Sequence, residues 1–224
     1  MFDSNILLPI EIKTTLEQNV LSSSLNEYKK INGNLVLSKI LNLKTSNDSF
    51  TDSFLRENGS YLSFENDVNY EDAVIFHDYD TKGNPLEVSK ADGTHIVYLW
   101  GYHQSQPIAK IENATYSDVQ SQVANLQTLS NADNDRTVDI INSDGTLTKV
   151  GKEGDLREAL RNLRTSLPDS QVTTYTYDPL IGVTSITDPR GNTVYYEYDA
   201  FNRLKHVKDQ DGNILSKNKY HYKN

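Results

Sequence analysis

The chain has no cysteine among its 224 residues, which excludes disulfide bonds, thiol nucleophiles and cysteine-ligated metals. It also has no apolar run of 18 residues, so the sequence predicts no membrane-spanning helix. The apolar segment Asn5–Ile10 is too short for the hydrophobic part of a signal peptide. We therefore expect any export signal to lie outside this chain.

Positive charge is scarce as well. The 22 Lys and Arg residues face 31 Asp and Glu residues, for a formal net charge of −9. A negative surface repels phosphate backbones and anionic lipid headgroups. Nucleic acid is therefore not an expected partner.

Tyrosine, in contrast, is abundant: the chain has 14 tyrosines, but only six phenylalanines and one tryptophan. Tyrosine suits half-exposed strand surfaces, where the ring packs and the hydroxyl remains hydrated. The composition therefore favours strands with a face near water. The length allows one large β domain or two small ones.

Residues 1–70 are predicted to form β-hairpins. Ile10 and Ile12 alternate with Glu11 and Lys13, as on a strand, and Asn32-Gly33 supplies the positive φ angles of a tight turn. Four leucines after this turn are predicted to share one face, and two aromatic residues to anchor the polar stretch that follows. These residues are Leu35, Leu37, Leu41 and Leu43, then Tyr61 and Phe64.

Residues 115–170, hereafter the insertion, carry helical spacing instead. The first predicted helix spans Tyr116–Leu129, with Thr115 as N-cap and Asp118 three residues later. The second spans Asp155–Leu167, with a leucine-rich stripe, and ends before Pro168. Between them a small hairpin is expected to turn at residues 143–145. We expect the insertion to pack against the sheet; the alternative is that it forms a poorly ordered excursion.

The C-terminal third contains a sequence repeat. Tyr-x-Tyr-Asp ends at Asp178 and again at Asp199, 21 residues later, and Asp-x-x-Gly-Asn begins at Asp188 and again at Asp209. A looser copy runs from Tyr79-Asp80 to Asp92-Gly93. Aspartate side chains accept backbone amides and glycine adopts positive φ, so both belong at turns between strands.

The strand between two such turns also alternates. Val194, Tyr196 and Tyr198 fall on one face, so stacked repeat units are expected to form a ladder of neighbouring tyrosines.

These motifs resemble the RHS/YD-repeat family. Tyr198-Asp199-Ala200-Phe201-Asn202-Arg203-Leu204 is similar to the core of that repeat, and the likeness covers about 72–111 and 171–222. By resemblance, such proteins form β-sheets that spiral into hollow shells, are exported or surface-attached, and often carry a C-terminal effector or toxin. The motif residues given a structural role are Tyr79, Asp80, Gly83, Tyr175, Tyr177, Asp178, Asp188, Gly191, Tyr196, Tyr198, Asp199, Arg203, Leu204 and Gly212.

The resemblance implies a mainly β fold, in which antiparallel hairpin repeats form a curved sheet or partial shell wall with a small helical insertion. It implies a non-catalytic structural segment of an exported or surface-attached bacterial protein, whose partners are neighbouring repeats of the same polypeptide. Four regions are expected: hairpins at 1–70, a YD-like repeat at 71–114, the insertion at 115–170 and YD repeats at 171–224.

One aromatic row offers a different function. Tyr98, Trp100 and Tyr102 fall at strand alternation, and an exposed row of this kind can stack on sugar rings. This is the basis of an alternative prediction, a carbohydrate- or cell-surface-binding module. The competing interpretation is that Trp100 is a core anchor, because its strand is apolar on both faces.

Catalytic and metal sites are not predicted. Asp188-Pro189-Arg190-Gly191 fits the Asp-Pro-x-Gly motif of self-cleaving family shells, but the second copy that would supply a partner carboxylate is absent. His77 lies among aspartates that strand alternation places on the opposite face. Asn131, Asp133 and Asp135 resemble the start of a calcium loop that lacks its closing glutamate. We therefore expect no enzyme activity and no cofactor.

Overall fold

The computed structural model describes residues 10–17, 19–44, 54–58, 61–65 and 69–220, with backbone only for 54–58 and 61–65. The chain divides between Thr94 and His95 into two compact units, unit one and unit two. Both are built mainly of antiparallel strands, and two helices interrupt the strands of unit two. The prediction of a mainly β, antiparallel fold with a small helical insertion is confirmed.

Unit one contains a five-stranded antiparallel sheet in the order β1-β2-β3-β6-β7, and a separate hairpin of β4 and β5. The strands are β1 Glu11–Leu16, β2 Asn19–Ile31, β3 Asn34–Leu43, β4 Phe54–Asn58, β5 Tyr61–Glu65, β6 Tyr70–Tyr79 and β7 Pro85–Lys90. Asn32 and Gly33 connect β2 to β3 with φ angles of 49° and 87°, as predicted. The side chains of Tyr61 and Phe64 lie outside the described residues.

The predicted leucine face of β3 is wrong because the strand contains a β-bulge. Tyr28 pairs with Leu37 and Glu27 with Lys39, so Ser38 is an extra residue that reverses the alternation. Before the bulge Val36 is buried while Leu35 is 46% exposed; after it Leu41 is buried. A prediction that assumes strict alternation of side chains along the strand cannot anticipate the extra residue of a bulge.

Unit two contains a seven-stranded antiparallel sheet in the order β8-β9-β12-β13-β14-β15-β16. Its elements are β8 His95–Gly101, β9 Gln106–Glu112, α1 Tyr116–Ala132, β10 Ile140–Ile141, β11 Leu147–Thr148, α2 Gly151–Ser166, β12 Gln171–Asp178, β13 Gly182–Thr187, β14 Thr193–Tyr198, β15 Leu204–Asp209 and β16 Ile214–Lys217. Neither helix is long and apolar enough to cross a membrane, among the residues described.

The division at Thr94 falls inside the predicted region 71–114, and the four-region division of the sequence stays a prediction.

The two helices form where the sequence predicts them, but α2 begins earlier. α1 starts with a capping box, in which the Thr115 amide donates to Asp118 Oδ2 at 2.8 Å. α2 begins at Gly151, four residues before the predicted start, because a distant carboxylate caps it. The Lys152 amide donates to Asp135 Oδ2 at 2.7 Å. The predicted hairpin between the helices is β10–β11, where Gly145 takes a φ of 80°.

The helices pack on the part of the sheet formed by β8, β9 and β12. Val97, Leu99 and Ile111 from the strands are at most 1% exposed, as are Leu156 and Leu163 from α2. Burial of such side chains contributes about 1.5–3 kcal/mol each. The insertion is therefore a packed part of unit two, as predicted.

Candidate functional site: the repeat turns and the docked insertion

The repeat motif forms a five-residue turn, hereafter the Asp turn, which Asp188 illustrates. The Asp188 amide donates to the Asn192 carbonyl at 3.0 Å, and the Gly191 amide returns a bond to the Asp188 carbonyl at 3.0 Å. Asp188 Oδ1 accepts the amides of Arg190 and Asn192, each at 2.9 Å, and Oδ2 accepts Asn192 Nδ2 at 3.1 Å. Both oxygens of this carboxylate therefore accept hydrogen bonds within the turn. These bonds explain the Asp-Pro-x-Gly sequence at this position as part of a turn.

Three further turns repeat this geometry. They begin at Asp80, Asp199 and Asp209, and in each the carboxylate accepts amides from the third and fifth residues and a side-chain donor of the fifth. The fourth residue takes a positive φ: Gly83, Gly191 and Gly212 lie between 83° and 89°, and Asn202 at 60°.

In two of the turns, the fifth residue also favours the ionised form of the aspartate. A hydrogen bond from Arg203 lowers the pKa of Asp199, and one from Asn213 lowers the pKa of Asp209. These aspartates therefore stay ionised, and the amides that converge on each one remain bonded. Each Asp turn is a self-contained unit of five residues.

Tyrosine hydroxyls connect neighbouring hairpins; Tyr198 and Tyr79 directly precede a turn aspartate, whereas Tyr220 precedes His221. Tyr198 donates its hydroxyl to the Val183 carbonyl at 2.8 Å, and Tyr220 donates to the Leu204 carbonyl at 2.8 Å. The two acceptors lie 21 residues apart, which is the repeat period. Tyr79 of unit one makes the same kind of bond, to the Leu37 carbonyl at 2.6 Å, and burial raises its pKa to about 12. The sequence predicted tyrosine packing, but not these hydroxyl bonds.

The turn at Asp178 departs from the pattern, and the insertion completes it. Its fifth residue is Gly182, which has no side chain to donate. Arg136 of the insertion takes that place, and its Nε donates to Asp178 Oδ2 at 2.5 Å. A side chain at Gly182 would not fit, because a Cβ there would lie 2.7 Å from the Tyr198 hydroxyl. The Tyr198 hydroxyl of one repeat therefore leaves no space for a side-chain donor at Gly182, the fifth residue of the previous repeat's turn.

A buried ionic cluster holds α2 over the polar part of the sheet. The Arg157 guanidinium donates to Glu153 and, at 3.1 Å, to Asp139, and these three side chains are 1–5% exposed. Asp139 also accepts Arg161 at 2.9 Å. Glu153 accepts the Thr176 hydroxyl of β12 at 2.8 Å. Burial raises the pKa of Glu153 to about 7, against the opposing effect of Arg157.

Tyr102 does not belong to an aromatic row. It follows the end of β8 with a φ of 50°, is 3% exposed, and donates its hydroxyl to Asp133 at 2.6 Å. The same hydroxyl accepts the Tyr177 amide at 2.9 Å. Tyr98 and Trp100 remain half-buried on the strand face that alternates with the helix-facing Val97 and Leu99. The predicted three-residue row is therefore wrong at Tyr102, and Trp100 is not fully buried as a core anchor would be.

Three carboxylates converge beside this tyrosine. One oxygen from each of Asp133, Asp135 and Glu153 lies within 4.8 Å of the others. Asp135 is occupied as the helix cap, with the Lys152 amide on Oδ2 and Thr137 on Oδ1. Asp133 holds Tyr102, and Glu153 holds Arg157. The arrangement of these three residues is that of a hydrogen-bonded cap and core cluster.

The other predicted motif residues are spread along the sheet. Tyr175 and Tyr196 are half-buried, and Tyr175 lies at 6.5 Å from Tyr177, between ring centroids. Leu204 begins β15 and offers its carbonyl to Tyr220. His77 shares a hydrogen bond with Ser89 at 2.8 Å, inside unit one.

A family model described as RHS Repeat matches residues 182–214. This stretch contains β13 to β15, the Asp turns at Asp188, Asp199 and Asp209, and the hydroxyl bond of Tyr198. Residues 182–214 therefore form an RHS repeat. The family resemblance drawn from the YD motifs is confirmed, and the match spans one repeat. No curated protein matches the chain in sequence.

Within this RHS repeat, the family motif has a physical meaning. The aspartate organises the turn, glycine or asparagine supplies the positive φ, and the tyrosine bonds back to the previous hairpin. The contact of Arg136 with Asp178 could not be found from the repeat pattern, because its two residues lie 42 positions apart.

Proposed function

We propose that this chain is a non-catalytic structural segment of an exported RHS-repeat protein, in which repeat hairpins stack into a β-sheet wall. The observation that carries the proposal is the tyrosine bond between successive hairpins. Because Tyr198 and Tyr220 reach backbone carbonyls one period apart, each hairpin presents the next with the same acceptor. A sheet built this way extends by addition of like units.

The partners in this proposal are neighbouring repeats of the same polypeptide. Among the described residues, β16 is the last strand in the sheet order of unit two, and Ile214 and Leu215 on it are 52% and 58% exposed. An uncovered strand of this kind pairs readily with another strand. RHS-repeat proteins are generally extracellular or at the cell surface, and we propose the same location here, with an effector or toxin as the cargo of the wall.

The test is the association of the purified chain. Light scattering should show a mass that rises with concentration, while circular dichroism stays β-rich. The double substitution Ile214→Lys and Leu215→Lys should suppress this association, because charges on an edge strand oppose strand pairing. Leu180→Lys is the matched control, since Leu180 is 95% exposed in a turn. A chain that stays monomeric at every concentration, or a control that acts like the edge variant, would contradict the proposal.

A second candidate is a carbohydrate-binding surface that uses Tyr98 and Trp100. It is supported by their half-exposed rings on the strand face that alternates with the core. Trp100→Ala should abolish glycan binding and leave the dichroism spectrum unchanged if the rings bind sugar. Unfolding of that variant, or unchanged glycan binding, would contradict this second candidate and leave only the structural role.

A further inference from the structure

An open groove lies between the insertion and strands β14 and β15. It consists of two adjoining cavities of about 290 and 230 Å³, which share Val138, Tyr195 and Glu197 as lining residues. Its length follows the segment from Arg136 to Ile141.

Acidic groups outnumber basic groups along the groove. The surplus remains when every ion-pair partner of the lining residues is counted. The carboxylates are Asp139, Glu153, Asp178, Glu197, Asp209 and Asp211, and the basic groups are Arg136, Arg157, Arg161, Lys208 and the imidazole of His206. Such an excess attracts cationic ligands and repels anionic ones.

The groove also offers apolar contact. Val138 and Ile141 are 41% and 46% exposed along one side, and the Tyr195 ring packs under Arg157 on the other. An extended peptide places alternate side chains on opposite sides, so it can set apolar groups on Val138 and Ile141 and charged groups on the sheet.

One buried carboxylate in the groove can accept a further hydrogen bond. Glu153 lines the smaller cavity and is 1% exposed, and its Oε2 has no hydrogen-bond partner among the described residues. A buried carboxylate oxygen without a donor is unfavourable by about 1–3 kcal/mol. An ammonium or guanidinium group supplies both the missing donor and the opposite charge.

We propose that this groove binds an extended peptide segment with alternating basic and apolar side chains, one of whose cationic groups reaches Glu153. The site is distinct from the edge strand β16 that the proposed wall uses. Loss of peptide binding and loss of association are therefore separable outcomes.

The experiment uses the full chain and a fluorescein-labelled peptide, acetyl-Lys-Leu-Lys-Leu-Lys-Leu-amide, followed by fluorescence anisotropy. Binding should be saturable, should weaken with added salt, and should be absent for the same peptide with glutamate in place of lysine. Glu153→Gln and Glu197→Gln should each weaken binding by about fivefold, the effect of roughly 1 kcal/mol. Lys208→Gln should strengthen it, because it removes a competing cation.

Glu112→Gln is the matched control. Glu112 holds Lys110 at 2.6 Å, as Glu197 holds Lys208 at 2.6 Å, but on β9, away from the groove. The proposal is overturned if this control weakens binding as much as Glu197→Gln, or if the acidic peptide binds equally well. It is also overturned if calcium chloride alone displaces the peptide at constant ionic strength, which would make the groove a metal-ion site. Since Lys208→Gln and Glu197→Gln change partly exposed groups outside the buried cluster, both remain informative if Glu153→Gln does not fold.

Discussion

The repeat tract and the insertion of unit two are stabilised by contacts of different range. In the Asp turns of the repeat tract, the bonds of Asp188, Asp199 and Asp209 join residues at most four positions apart. In the insertion, Arg157 reaches Asp139 across 18 positions and Arg136 reaches Asp178 across 42. The repeat tract therefore follows a local rule that can be copied, whereas the insertion depends on the assembled sheet.

The largest expected loss of stability comes from replacing Arg157, whose contact with Asp139 in the insertion is long-range. Arg157→Ala would leave Asp139 and Glu153 buried without their shared cation, and it should lower the free energy of unfolding by about 3–5 kcal/mol. Thermal and chemical denaturation would measure it. Arg161→Ala is the control, because the Arg161 side chain is 38% exposed and also pairs with Asp139. That variant should lose less than about 1 kcal/mol. Equal losses in the two variants would show that burial does not decide the contribution.

The pH dependence should come from the insertion. Burial raises the pKa of Glu153 to about 7, while Arg157 opposes the shift and Asp133 reinforces it. The folded state then binds more protons than the unfolded state, so stability falls as the pH rises from about 5 to about 7. The decrease should be at most about 3 kcal/mol.

Urea denaturation between pH 4.5 and pH 8 would measure this decrease, and Glu153→Gln should remove it. Turn aspartates with lowered pKa, such as Asp209, act in the opposite direction and at lower pH, so the difference between wild type and variant isolates Glu153. A wild-type curve that rises from pH 5 to pH 7, or a variant with the same slope, would contradict the assignment.

The smallest expected change in stability concerns Arg136. It is also the most direct test of the difference between the repeat tract and the insertion. The Arg136 side chain is 42% exposed and that of Asp178 is 21% exposed, so the pair should couple by only about 0.5–1 kcal/mol in a double-mutant cycle of Arg136→Ala and Asp178→Ala. Hydrogen exchange provides the second measurement. Arg136→Ala should speed amide exchange in residues 133–141.

Arg203→Ala provides the local counterpart. Arg203 donates to Asp199 within its own turn, so exchange should rise in that turn alone. If Arg136→Ala left exchange in residues 133–141 unchanged, the insertion would be docked by its apolar core without this contact.

Sequence reasoning succeeded where the interactions are local. The Asp-x-x-Gly-Asn spacing predicted the turns, and the Asn32-Gly33 pair and the Thr115-Asp118 pair predicted a hairpin and a helix start. It failed where one residue changes the register or a partner is distant. Ser38 reversed the face of β3, Asp135 moved the start of α2, and the turn after β8 carried Tyr102 into the core.

The sequence by itself determined the repeat, because each Asp turn contains its own donors and acceptors within five residues. It also determined the likeness to the RHS repeat, since those turns recur on a fixed period and the family model matches residues 182–214. Only the tertiary structure decided how Arg136 completes the Asp178 turn, why Glu153 is buried with an unpartnered oxygen, and where the groove lies. These features depend on residues brought together by the packing of α2 on the sheet, and no spacing along the chain encodes that distance.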